Sequence, residues 1–201
     1  FAPVAGGPRL APRELLRSFL LAAGSGDPER IAPFLAAGLL PRELPPLLIK
    51  EIIDGFEVSA AHMRQAGLDG VELVASHGYL LGQFLNSNIN QRSDAYGGSR
   101  AGRMRFLQEA IAATRRGAGE DMVLGVRLSG EEKDHHGVEI DEMLEVCAAM
   151  DANPALDYLN VTAGTSAGLA GSTHIVPPMA YEAAYTAPIA AAIKARVSKP
   201  V

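Results

Sequence analysis

The chain of 201 residues is 48% hydrophobic and 20% charged, with a formal net charge of -5, ordinary values for a globular domain with one sizeable core. The acidic balance leaves no basic field for nucleic acid or an anionic membrane surface, and the apolar stretches are too interrupted to span a bilayer. Cys147 is the single cysteine, which excludes an intrachain disulfide and a cysteine-built zinc or iron–sulfur site from this chain alone.

Residues 1–40 are rich in Ala, Leu, Pro and Gly and read as a separate helical segment. Pro12 opens a helix to about Ala23, Gly24-Ser25-Gly26 breaks it, and Asp27 caps a second helix starting at Pro28. No basic stretch precedes an apolar core at the start, so a reducing, cytoplasmic setting is expected.

Residues 41–201 alternate between helix and strand signals. Pro45-Pro46 leads into a helical pattern through Leu48, Ile49, Ile52, Ile53, Phe56, Ala60 and Met63 that stops at Gly67. Gly70 to Ala75 reads as a short buried strand, and the segment Ser76 to Leu85 as the loop after it. Ser99 caps a helix from Arg100 to about Arg116. Val123 to Leu128 is a second strand, Asp141 to Met150 lies in a helix, and Tyr158 to Thr162 is a third strand. Pro188 to Val197 is the last helix, and Lys199-Pro200-Val201 reads as the lead-in to another strand. Alternation of this kind predicts an α/β fold with a parallel sheet, either an open doubly wound sheet or a (β/α)₈ barrel. In both, chemistry sits at the C-terminal ends of the strands, here after Ala75, Leu128 and Thr162.

Three residues near those ends can carry chemistry. His77 can hydrogen-bond a substrate oxygen, and Tyr79 can deliver a proton to a reacting carbon. On spacing alone the plainer alternative is favoured: Tyr79 packs on the rim and His77 bonds to backbone. Arg127 lies inside an apolar strand, where a buried guanidinium needs an anion. Either a cofactor or an internal carboxylate such as Glu72 would supply it. The polar loop Asn88 to Ser99 lacks the ending of a phosphate loop and reads as self-hydrogen-bonded structure. His135 and His136 read as a solvated loop rather than a metal site, His62 and His174 as unremarkable, and Cys147 as a small core residue.

Several motifs in order resemble the old yellow enzyme family. They are Ala66 to Leu73, His77-Gly78-Tyr79-Leu80-Leu81-Gly82-Gln83-Phe84-Leu85, Asn90 to Ser99, Arg103 to Phe106, Gly125 to Ser129 and Asp157 to Val161. That family includes ene-reductases, the flavin barrel of dienoyl-CoA reductases and amine demethylases. The resemblance implies a TIM-type (β/α)₈ barrel binding FMN, with NADH or NADPH as reductant. It makes Tyr79 the proton donor, His77 one of two positions that grip the substrate oxygen, and Arg127 a contact to the flavin N1/O2 edge. Val74 stands where the other gripping donor usually is, which leans the reading towards the demethylase branch. Ala101-Gly102 replaces the usual acid–amide pair.

By family order the strands match the fourth, fifth and sixth, with a seventh starting at Val201. A partial barrel with an N-terminal helical segment, 1–40 followed by 41–201, is therefore expected. Weak or no FMN binding by this chain alone follows, unless another copy or a partner completes the barrel, with no iron–sulfur cluster in it. The expected partners are a small-molecule substrate and at most a homo-oligomer. The competing reading is a catalytically inactive truncated barrel fragment that at most self-associates.

Overall fold

The computed structural model describes residues 43–201, so the helical segment expected at 1–40 lies outside the described residues. Helix α1 (Pro46–Gln65) begins on the Pro45-Pro46 pair, where a missing N–H in the first turn costs no intrahelical bond. Its buried residues Ile49, Ile53 and Ala60 recur at helical spacing and face α3 (Arg100–Ala118). The two helices touch closely at Gly117, where a Cβ would collide with the Glu57 carbonyl. Ser99 caps α3 by accepting the Gly102 N–H at 3.1 Å.

The sheet is formed by β1 (Gly70–Ala75), β2 (Val123–Glu131) and β3 (Tyr158–Ala163), in the order β1-β2-β3 and parallel throughout. Side chains alternate between the two faces of a strand. Leu73, Ala75, Leu124, Val126, Leu128, Leu159 and Ala163 share one face and are all buried. Helix α4 (Ile140–Asp151) contributes Met143, Val146, Cys147 and Met150 to the interior. Helix α6 (Ala187–Lys194) contributes Ile189 and Ile193. Burying each of the Val, Leu, Ile and Met chains among these stabilises the fold by about 1.5–3 kcal/mol. The Pro200 carbonyl accepts the Leu159 N–H at 3.0 Å, beside β3.

The structure corrects the sequence reading at two helices. Residues 80–85, expected as loop, form α2 (Leu80–Leu85), which buries Leu81, Phe84 and Leu85. Six residues are too few for a periodic signature, and such a helix is held by tertiary packing: the Phe84 and Phe106 rings meet edge-on at 4.8 Å. The last helix ends at Lys194 rather than Val197, with Ala195 at its C-cap. A four-residue helix, α5 (Leu169–Ser172), follows β3 and had no counterpart in the pattern. Among the described residues no helix is long and apolar enough to cross a membrane.

Candidate active site on the open face of the sheet

The second face of the sheet carries polar side chains. Strand register aligns Glu72 with Gly125 and Tyr158, and Val74 with Arg127 and Asn160. Glu72 is the hub. One carboxylate oxygen pairs with an Arg127 terminal nitrogen at 2.7 Å. The other accepts the Tyr158 hydroxyl at 3.0 Å and the Asn160 amide at 2.9 Å. Tyr158 lies two strands from Glu72 and reaches it over Gly125, where a Cβ would collide with the phenol ring. Burial, then the hydrogen bond to Glu72 and its negative charge, raises the Tyr158 pKa, so the phenol remains a donor.

Arg127 was expected to be buried within an apolar strand. Its side chain is instead 40% exposed, on the face opposite the buried apolar one. The carboxylate alternative for its partner is realised in Glu72. Its Nε is nevertheless buried and has no hydrogen-bond partner among the described residues.

At the C-terminal end of β1 the backbone turns sharply. His77 adopts φ 60° and Gly78 φ 71°. A left-handed non-glycine residue costs about 1–3 kcal/mol and persists only where its surroundings impose it. Here the His77 N–H donates to the Ser129 hydroxyl at 2.9 Å, and that hydroxyl donates to the Gly164 carbonyl at 2.8 Å. The His77 carbonyl accepts the Ser166 N–H at 2.9 Å. The ends of all three strands are thereby tied through one residue.

The His77 side chain is buried and its Nδ1 has no partner among the described residues. Burial first, then the positive charge of Arg127, lowers its pKa, against the opposing pull of the Ala163 and Gly164 carbonyls. The ring is therefore neutral at neutral pH. Tyr79 is 53% exposed at the start of α2, edge-on to His77 with ring centroids 6.1 Å apart. Ser76, next to them in sequence, has a buried hydroxyl with no partner among the described residues. The accessible polar groups here, the Arg127 guanidinium and the Tyr79 phenol, suit a ligand with an electron-rich polar edge.

A second polar knot fastens the loops outside this face. Glu132 is buried and accepts the Asn86 amide at 2.7 Å and the Val138 N–H at 2.9 Å. Asn86 also donates to the His136 carbonyl at 2.9 Å and accepts from the N–H groups of Asn88 and Ile89. Burial raises the Glu132 pKa, more than its hydrogen bonds lower it. The loop from Asn88 to Ser99 is internally bonded, as its composition suggested: Asn90 donates to the carbonyls of Phe84 and Tyr96, both at 2.8 Å. His135 and His136 are exposed, and among the described residues no three His, Cys, Asp or Glu side chains cluster to hold a metal ion. Cys147 is buried and its thiol pKa is pushed up to about 12 by burial.

Sequence reasoning named Glu72 only as an alternative partner for Arg127 and gave Tyr158, Asn160 and Ser129 no role. The signal was present as alternation: Tyr158, Asn160 and Thr162 interleave with Leu159, Val161 and Ala163, marking one polar face. His174 was also underestimated. Its ring packs against Tyr181 and Tyr185 at 5.0 and 5.7 Å, fastening the segment after α5.

Residues 23–182 match the model of the NADH:flavin oxidoreductase / NADH oxidase family. The chain is 35% identical over 153 residues to N,N-dimethylglycine/sarcosine dehydrogenase of Chromohalobacter salexigens, covering 76% of this chain and 22% of that protein. It is 36% identical over 176 residues to the multifunctional alkene reductase/demethylase OYE of Caballeronia cordobensis, covering 85% and 25%. Its structure is similar to histamine dehydrogenase from Rhizobium sp. 4-9, with a TM-score of 0.70, 28% identity, and coverage of 80% of this chain and 22% of that one. The chain spans about a quarter of the length of these relatives.

Proposed function

Because the chain belongs to the NADH:flavin oxidoreductase / NADH oxidase family, we propose that it is part of an FMN-dependent oxidoreductase that draws electrons from NADH or NADPH and reduces an activated alkene, or in the opposite sense oxidises an amine. The observation that supports this most directly is the pair of accessible polar side chains at one strand end, the Arg127 guanidinium and the Tyr79 phenol, with the His77 ring edge-on to Tyr79. A planar cofactor with polar edges would find a cation and hydrogen-bonding groups there. On this reading β1, β2 and β3 are the fourth to sixth strands of a (β/α)₈ barrel, and the polar face lines its interior.

FMN, when bound, supplies the two-electron chemistry. Arg127 would hold the electron-rich edge of the ring, since a guanidinium is planar and presents several N–H donors in a fixed fork. His77, kept neutral by burial and by Arg127, donates or accepts one hydrogen bond at a substrate heteroatom. Tyr79 has the exposure needed to hand its phenolic proton to a substrate carbon. Val74 lies on the same face beside Arg127 and has no donor, so a substrate carbonyl would be gripped at one point only. A small amine needs no such two-point grip. This favours the amine-oxidising side, in keeping with the name of the Chromohalobacter relative.

The test is an FMN titration of the purified chain followed by visible absorption and flavin fluorescence. Weakly bound flavin with a shifted spectrum is expected at high FMN, and a protein that leaves all the added FMN free would overturn the reading for this chain. With flavin bound, Tyr79→Phe should slow the half-reaction with an alkene and spare reduction of the flavin by NADH or NADPH. Equal losses in both half-reactions would remove Tyr79 from the proton-donor role.

A further inference from the structure

The pair formed by Glu72 and Arg127 is asymmetric. Glu72 is the enclosed partner, with 16% of its side chain exposed against 40% for Arg127. A carboxylate in that position needs donors, and it has three: Arg127, Tyr158 and Asn160. Two of them are neutral and come from β3, the far side of the sheet from β1. They fix the carboxylate without competing with Arg127 for its charge. The reach of Tyr158 depends on the absent side chain at Gly125. Among the described residues Arg127 meets no second anion, and its enclosed Nε has no hydrogen-bond partner.

We infer that Glu72 is a positioning residue: held by Tyr158 and Asn160, it sets the plane of the Arg127 guanidinium so that its accessible terminal N–H groups are presented to the polar edge of a bound ring. The guanidinium is rigid and planar, so fixing one terminal nitrogen while the strand fixes Cα restricts where the remaining N–H groups point. Holding an acid against the arginine has a second consequence. Glu72 offsets much of the positive charge that would otherwise stabilise an anionic ring. The clamp therefore trades strength of anion binding for direction. Burial raises the Tyr158 pKa still further above the neutral range, so this donor stays protonated there. The identity of the ring rests on the FMN reading; the clamp itself does not.

Two measurements separate these parts. The first uses the full chain without ligand and follows the Arg127 Nε–H by nitrogen-15 NMR. It should be restricted and slow to exchange in the parent and in Tyr158→Phe, and freely reorienting in Glu72→Ala. An Nε–H equally mobile in parent and Glu72→Ala overturns the clamp. The second uses FMN. Glu72→Ala should weaken its binding about tenfold, the scale of one lost charge-assisted hydrogen bond. Glu72→Gln, which keeps shape and fold, should bind within about threefold of the parent but raise the midpoint potential of the bound flavin, because the Arg127 charge is no longer offset. A potential unchanged in Glu72→Gln overturns the inference even if affinity moves, since a merely structural role would leave it there. If the parent itself binds no FMN, the functional proposal fails and the NMR result alone decides for or against the clamp.

Discussion

Replacing Asn86 with Ala is expected to destabilise the fold by about 3 kcal/mol. The Asn86 side chain is fully enclosed and takes part in four hydrogen bonds: to Glu132 at 2.7 Å, to the His136 carbonyl at 2.9 Å, and from the Asn88 and Ile89 N–H groups at 2.8 and 3.2 Å. A neutral bond contributes about 0.5–1.5 kcal/mol net and one to a charged group about 1.5–3 kcal/mol. Two of the losses are softened. The His136 carbonyl keeps the Asn88 amide at 3.1 Å, and Glu132 can take up a proton because burial already raises its pKa. The sum, less that relief, is about 3 kcal/mol. Urea unfolding followed by circular dichroism at pH 7 measures it. With a slope near 2 kcal/mol per molar, the midpoint should fall by about 1.5 M. Because Asn86 follows α2 and Glu132 follows β2, the same change should loosen the loops that rim the open face, and amide exchange should speed up at residues 86–89 and 132–138. A loss under about 1 kcal/mol would show that the loops are held by something other than this knot.

Three further outcomes follow from the same geometry. Glu132 has a raised folded pKa, so its contribution is present below the ordinary carboxylate value and is lost as pH rises through the folded one; Glu132→Gln should therefore flatten the stability difference between pH 4 and pH 7, and parallel pH profiles for the two proteins would refute this. His77 has a lowered folded pKa, so it favours folding above about pH 6.5 and penalises it as pH falls towards the folded value; its ring proton shift should titrate below the usual range, and Arg127→Ala should move that midpoint up, while an unmoved midpoint would deny the electrostatic link. Gly125→Ala should cost about 1–3 kcal/mol by thermal or urea unfolding, and most of that cost should vanish when combined with Tyr158→Ala; purely additive losses would mean that the ring over Gly125 is not the obstacle.

Long periodic segments were legible without coordinates. The 70–75 strand, the helix capped by Ser99 and the strand from Val123 follow from local patterns: short apolar runs for strands, a hydroxyl cap, and helical spacing of Met104, Leu107 and Ile111; the burial expected for 70–75 holds on one face only, since Val74 is exposed. The motifs around His77, Tyr79 and Arg127 likewise pointed to the family that the chain proves to belong to. What the sequence could not determine is which groups satisfy one another. The Glu72 carboxylate lies 86 and 88 positions from the Tyr158 and Asn160 donors that meet it. Only parallel register and the missing side chain of Gly125 bring them together. Helix α2 shows the same dependence, since six residues acquire order from the rings packed against Phe84 rather than from their own propensity. Local signals fix the period of a segment, and hence its type and its faces. Distant partners are chosen by strand order and register, which exist only once the chain has packed.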